Sequence, residues 1–267
     1  MRLKAIHRKA LRDLWHMRGQ ALAIALVIAS GIAMLVMSAA TLSSLQDTRD
    51  RLYRDYRFSD VWAQVKRAPS ALAQRVAELP GVNEVETRLI AGAKVELADF
   101  YEPIEAVVQS IPDTGEPAQT RLYLRSGRRL APFADGEVLV SESFALAHKL
   151  QPGDRLRATV YGRTQWFTIV GMAVSPEYVY QIKPGAMFPD YQRYAILWMN
   201  RRALEAALDM NGAFNQVVVR LSPGADERDT IAAMDLLLAR NAAWARMAAW
   251  TSSRTVSYTR NSASSPP

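Results

Sequence analysis

Cysteine is absent from the 267 residues. That excludes a disulfide framework, a thiol nucleophile and cysteine-based zinc sites. It leaves the compartment open, because a domain of this size buries enough surface to stand without cross-links. Histidine is scarce, and of the three only His148 lies beyond residue 16. One imidazole supplies too few ligands for a typical zinc centre. No G-x-S-x-G elbow accompanies it for a Ser-His-Asp hydrolase, so a partly exposed structural histidine on a helix over 142–149 is expected. None of the thirteen glycines precedes a lysine and no two lie two apart, so neither a Walker A loop nor a G-x-G-x-x-G turn exists. The expected catalytic, cofactor and metal-binding residues are therefore none.

Charge is missing altogether between Arg18 and Asp47, and Ala21 to Ala40 is almost unbroken Ala, Leu, Ile, Val and Met. Twenty helical residues rise about 30 Å, the thickness of a bilayer's hydrocarbon core. Before them Arg2, Lys4, Arg8, Lys9, Arg12 and Arg18 stand against a lone acid, Asp13. A basic flank beside a spanning-length apolar run marks the cytoplasmic side. The first twenty residues are thus expected in the cytosol and the chain after about Thr41 across the membrane. Ser38-Ala39-Ala40 would pass as a signal-peptidase site. The long polar arm and an apolar run beyond the usual 7–15 residues of a signal sequence favour an uncleaved anchor. In the arm, Leu3, Ile6, Ala10, Leu14 and Met17 fall at helical spacing, which reads either as an amphipathic helix at the lipid surface or as a plain basic arm.

The formal charge of +7 is topological. The arm carries +5, residues 241–267 carry +3, and residues 41–240 hold 24 bases against 25 acids, a net −1. A domain that neutral shows no stripe for phosphates, so nucleic acid is not an expected partner, whereas membrane lipid is.

Beyond the span, Gln46–Asp60 reads as a charged continuation of the helix. Asp60–Lys66 alternates as a strand, and Pro69-Ser70 opens a helix with Leu72, Val76 and Leu79 on one face, stopped by Pro80-Gly81. Strands are expected within 82–97 and over 104–110. After the Pro/Gly-rich stretch 112–117, a second unit is expected to begin. It has strands at 122–124 and 137–140, a helix 142–149 capped by Ser141, a hairpin of 155–161 with 165–174, a strand 196–199, a helix 201–208, a strand 216–221 and a last helix bearing Ile231, Met234, Leu237 and Leu238. The expected class is α+β: one N-terminal transmembrane helix followed by a two-lobed α+β extracytoplasmic domain, the lobes succeeding each other along the chain. The boundaries are 1–20 for the arm, 21–40 for the span, 41–240 for the domain and 241–267 for a tail without regular structure.

The densest aromatic stretch runs from Ser175 to Tyr191. Prolines and glycines make it a long loop, and Glu177, Tyr178, Tyr180, Phe188 and Tyr191 are the candidate partner-contact residues. Two readings stay open: a contact surface, or aromatics that cap the open end of a sheet.

Several segments together resemble one family. They are Phe58-Ser-Asp-Val-Trp62, Leu79-Pro-Gly-Val82 with Val85-Glu-Thr-Arg88, Leu124-Arg-Ser-Gly-Arg128, Glu137-Val-Leu-Val-Ser141, Leu150-Gln-Pro-Gly-Asp154, Ile169-Val-Gly171, Ser175-Pro-Glu-Tyr-Val-Tyr180 and Gly212-Ala-Phe-Asn215. In order and spacing the chain over 1–240 resembles the first half of an FtsX/MacB-type ABC transporter permease, its first membrane helix plus the MacB-like periplasmic core domain. The resemblance implies a non-enzymatic subunit of an export or lipid- and lipoprotein-handling system in the inner membrane. It further implies a separate cytosolic ABC ATPase as partner and pairing as a homodimer or permease heterodimer. Such permeases carry four membrane helices, yet here Asp235, Arg240 and Arg246 interrupt the only later apolar stretch, Ile231–Trp250, at about 2.5–3.5 kcal/mol each at mid-membrane. Back-translated with GC-rich codons and shifted by one nucleotide, the stretch from 241 yields Gly-Leu-Gly-Ala-Tyr-Gly-Arg-Val-Asp-Gln-Leu-Ser-His-Arg-Phe, which resembles the family's continuation. The expectation is a frameshifted, truncated and inactive permease. The alternative is a single-span accessory protein that binds partners through its ectodomain.

Overall fold

The computed structural model describes residues 18–55, 57–178, 181–183, 185–239, 246–251 and 254–259. The arm's expected helix lies outside these residues. Internal contacts divide the chain into two units, 1–52 and 53–267.

Helix α1, Arg18–Asp55, holds the apolar run and the first part of the charged stretch after it. Its segment Arg18–Leu45 is long and apolar enough to cross a membrane, and among the described residues nothing buries it. Leu22, Met34 and Leu35 are each more than 60% exposed. A helix apolar all round and left bare in this way calls for lipid rather than water. Hydroxyls along it are satisfied within the helix: Ser30 donates to Val27 O at 2.8 Å and Thr41 to Met37 O at 2.8 Å, the internal pairing that a bilayer demands.

The second unit is built on two sheets. One is antiparallel throughout, with β1 (Val61–Pro69), β10 (Ala213–Leu221) and β2 (Val82–Arg88) side by side. Val61, Ala63 and Val65 of β1 and Val217 and Val219 of β10 turn to one face, where α2 (Ala71–Ala77) and α5 (Glu227–Leu238) cover them. Leu72, Val76, Met234 and Leu238 close that core, each worth about 1.5–3 kcal/mol once removed from water. Asp226 caps α5 by accepting the Arg228 N–H at 2.8 Å, the role its side chain favours at that position.

The other sheet contains β3 (Ile90–Leu97), β4 (Phe100–Ile111), β5 (Tyr123–Gly127), β6 (Glu137–Ser141), β7 (Arg155–Val160), β8 (Arg163–Val174) and β9 (Tyr194–Asn200). Its order is β5-β8-β6-β9-β4-β3-β7, and β7 also pairs with β8. Six strands therefore close on themselves, with β5 attached beside the second half of β8. Closure removes the open edges that a sheet must otherwise protect. The turn of the β7–β8 hairpin is Tyr161-Gly162, with φ of 49° and 80°, the primed geometry that matches strand twist. Inside the closed sheet Ile104, Val108, Leu156, Phe167, Ile169 and Leu197 form the main core, joined by Phe144 of α3 (Glu142–Ala147) and Leu204 of α4 (Arg201–Leu208). Strand β9 is buried on both faces: Ile196 and Trp198 belong to a separate outer cluster with Leu139, Val170 and Ala173.

Most local elements fall where the periodicity places them. The lobes do not succeed each other along the chain. Strand β10, from the second half, lies between β1 and β2, while β3 and β4, from the first half, enter the closed sheet. Local patterning fixes which residues face inward and is silent on which strand lies alongside. The two sheets are tied by side chains that imitate backbone. Asn215 accepts the Ile90 N–H at 2.8 Å and donates to Ile90 O at 2.6 Å, and Arg201 donates to Thr87 O at 2.7 Å and to Ala213 O at 3.3 Å.

Two further expectations are corrected. Ser141 gives α3 no side-chain cap; its hydroxyl donates to Gln181 Oε1 at 3.1 Å and accepts the Ile196 N–H at 3.4 Å. The tail carries strands β11 (Arg246–Thr251) and β12 (Arg254–Thr259), a hairpin whose first strand pairs with β1 over Val61–Gln64. The edge of β1 away from β10 supplies a row of donors and acceptors that an extended segment can satisfy, and β11 takes it.

Candidate partner-contact site

The loop from β8 to β9 begins with one turn of 3-10 helix, Pro176–Tyr178. Ser175 sets it: its Oγ accepts the Glu177 N–H at 3.2 Å and its carbonyl the Tyr178 N–H at 3.1 Å. This turn delivers the Glu177 carboxylate to Arg88 at the end of β2, with Nη1 donating to Oε1 at 2.7 Å. Arg88 Nε also donates to Glu86 Oε1 at 2.8 Å, and its Nη2 to the Gln119 carbonyl at 2.8 Å. Gln109 Nε2 donates to the second Glu177 oxygen at 3.3 Å.

The Arg88 side chain is only 3% exposed. Burial pulls its pKa down, and the charges of Glu177 and Glu86 outweigh that, so the guanidinium is held above its ordinary value. A segment from the 112–122 connection seals this group. Gln119, fully buried, gives its N–H to Glu86 Oε2 at 2.8 Å and its Nε2 to Glu84 O at 3.0 Å. The Thr120 N–H reaches Arg57 O at 2.9 Å, and Arg57 pairs with Glu84 at 3.0 Å.

Tyr178 turns its ring edge-on to Trp198, with centroids 6.4 Å apart. Burial first, and the charge of Glu177 second, push its phenol above the ordinary value. Glu177 and Tyr178 are thus engaged in holding the loop to its sheet.

Beyond the buried Gln181, residues 182, 183 and 185–188 face outward. Lys183 Nζ lies 2.5 Å from Glu105, and Ala186 N–H closes a turn onto Lys183 O at 2.9 Å. Gly185, at φ +88°, supplies the backbone that turn needs. Met187 and Phe188 are 85% and 77% exposed, and Ile182 is also exposed. Tyr191 is half-buried, and Tyr180 lies outside the described residues. The chain is gathered again by Asp190, which accepts the Arg193 N–H at 3.1 Å and pairs with its guanidinium at 3.0 Å. Arg193 Nε pairs in turn with Glu102 at 2.6 Å. Burial pushes Asp190 up, but hydrogen bonds from the Arg193 side chain and the Arg193 and Gln192 N–H groups prevail, leaving its carboxyl below the usual range. His148 packs edge-on against Phe100 and lies with Nε2 2.8 Å from the Gln192 carbonyl; it braces the loop's exit.

The four candidates among the described residues therefore do not form one surface. Of these four Phe188 alone is fully outward, and its apolar companions Met187 and Ile182 escape an aromatic-based reading. Their sequence signal is position: apolar residues set between Pro and Gly breaks have no strand or helix face on which to be buried. Among the described residues no group of three or more His, Asp or Glu side chains is placed to hold a metal ion.

A family model described as the MacB-like periplasmic core domain matches residues 19–237, α1 and the domain together. No curated protein matches. Among solved structures, the periplasmic region of MacB from Actinobacillus actinomycetemcomitans is 11% identical at a TM-score of 0.42, covering 71% of this chain and 87% of that one. The extracellular domain of the noncanonic ABC-type transporter YknZ from Gram-positive bacteria is 15% identical at a TM-score of 0.42, covering 68% and 93%.

Proposed function

Since the chain belongs to the family of the MacB-like periplasmic core domain, we propose that it couples a separate cytosolic ABC ATPase to an extracytoplasmic partner, with its N-terminus in the cytosol. What it carries is the ectodomain of an ABC-transporter permease behind a helix able to cross a membrane. The observation that bears most weight is the single match that spans both parts. The basic arm supports the orientation, and the absence of a Walker A loop supports an ATPase on another chain.

In this reading α1 transmits nucleotide-driven movement to the domain, whose first strand follows it within a few residues. The outward part of the 175–193 loop, with Ile182, Met187 and Phe188, meets the partner. The cargo is of the kinds the resemblance implies: lipids, lipoproteins, peptides or drugs. A homodimer or a permease heterodimer would provide the second half of the transport path.

Co-purification separates this from the accessory-protein alternative. A permease half engages an ATPase only when joined to further membrane helices. An accessory protein retains its partners as it stands. Capture of the ATPase by the 267-residue chain alone would favour the accessory reading, and failure of the chain joined to further helices to capture one would contradict the proposed coupling.

A further inference from the structure

Cysteine is absent, so methionine is the only sulfur-bearing residue type in this chain. Five methionines lie between residues 57 and 239, and packing sorts them. Met172, Met199 and Met210 belong to the core of the closed sheet and Met234 to the core under α5, all of them buried. Met187 belongs to none of the three apolar clusters and is 85% exposed. Met34 and Met37 lie on α1, where the bilayer covers them in the reading above.

The backbone explains the difference. Ala186 N–H closes on Lys183 O at 2.9 Å, with Gly185 at φ +88° in the turn, and Pro189 ends the stretch soon after. Met187 stands between these breaks, where no strand or helix offers a face to bury it. Its companions Ile182 and Phe188 are exposed as well. An oxidant reaches such a thioether without any opening of the fold, whereas a core sulfur is reached only through local unfolding.

We propose that Met187 is an oxidation switch: conversion of its thioether to the sulfoxide weakens the contact that Ile182, Met187 and Phe188 make with the extracytoplasmic partner. The inference rests on the contact surface proposed above. The co-reactant is hypochlorous acid, a two-electron oxidant met on the side of the membrane away from the cytosol's thiol reductants. The sulfur gains one oxygen and gives up two electrons, chlorine is reduced to chloride, and one proton is released. In water the sulfoxide keeps its hydrogen bonds, so the fold is indifferent to it. Against an apolar partner the same oxygen loses them, which weakens the contact about tenfold. Methionine sulfoxide reductases restore the thioether, so the change is reversible.

The test uses the full chain in cells, with p-benzoylphenylalanine in place of Ala186 as a photo-cross-linker, treated with limiting hypochlorous acid. Peptide mass spectrometry should find one added oxygen on Met187 about tenfold sooner than on Met172, Met199, Met210 or Met234. The photo-adduct should fall about tenfold as Met187 is oxidised, while the urea midpoint of the oxidised chain stays where it was. Met187→Leu keeps the apolar volume, so it should cross-link like the parent chain and resist the oxidant. Met187→Gln, polar as the sulfoxide is, should lose the adduct with no oxidant present. Oxidation of Met187 no faster than that of the core methionines overturns the site. An adduct that survives full oxidation of Met187 overturns the switch, and so does one that falls equally in the parent chain and in Met187→Leu. An adduct missing before any oxidant is added refutes the contact surface itself, and the switch with it.

Discussion

One loop is held at each end by the same device, an arginine between two carboxylates, and the copies differ in what surrounds them. Arg88 holds Glu86 and Glu177 with 3% of its side chain exposed, while Arg193 holds Glu102 and Asp190 with 47% exposed. In water such a triad gains little, because solvent screens the charges and the long side chains give up entropy. Under the Gln119 segment, each charge has lost its hydration and depends on its partners. Identical chemistry is therefore a fold determinant at the loop's entrance and a trim at its exit. Between them lies the part that exposes Ile182, Met187 and Phe188.

The difference is largest for Arg88→Met. Two carboxylates are then buried without a counter-charge, a loss of about 3–5 kcal/mol, read as a fall in the midpoint of urea unfolding. A change under about 1 kcal/mol would mean that water reaches the group and the seal over it is not tight. Arg193→Met should leave the midpoint close to that of the parent chain, and the small remaining difference should vanish as salt is added. A loss as large as that at Arg88 would erase the contrast.

Asp190 adds a pH signature. Its pKa is lowered in the folded state, so its contribution is complete above its ordinary value of 3.8 and drains as the pH falls below that. Asp190→Asn should flatten this part of the acid limb and lower stability at neutral pH by the same small amount, parent and variant converging at low pH. The smallest effect on stability belongs to Met187→Ser with Phe188→Ser, within about 0.5 kcal/mol. These substitutions should nonetheless reduce cross-linking to the extracytoplasmic partner. Full retention of the cross-link would move the contact elsewhere on the domain.

Helices, strands and the span could be read from periodicity because each depends on its neighbours in sequence. The elements α2, α4 and the β7–β8 hairpin fall close to where apolar spacing and turn residues place them. What escaped depended on distant partners. In β2, Glu84, Glu86 and Arg88 alternate with Val85 and Thr87, a pattern that reads as a wet face. It is dry because residues 119 and 120, some thirty positions later, lie across it. Ser141 reads as a cap because Glu142 follows, yet Gln181 and the Ile196 N–H compete for its hydroxyl. Glu177 reads as a surface charge until β2 is placed beside it. The insertion of β10 between β1 and β2 has no local signature at all, since antiparallel pairing at that separation leaves both strands with the same alternation.

The account turns on α1 lying in a membrane with the domain displayed on the far side. A chain without cysteine allows this to be read cleanly. Single cysteines at Arg8→Cys in the arm and at Tyr161→Cys on the exposed β7–β8 turn can be tested with a membrane-impermeant maleimide on intact cells. Labelling at 161 before lysis, and at 8 only after it, is the predicted result. Labelling at 8 in intact cells with 161 protected, or a mature chain that starts near residue 41, would contradict it.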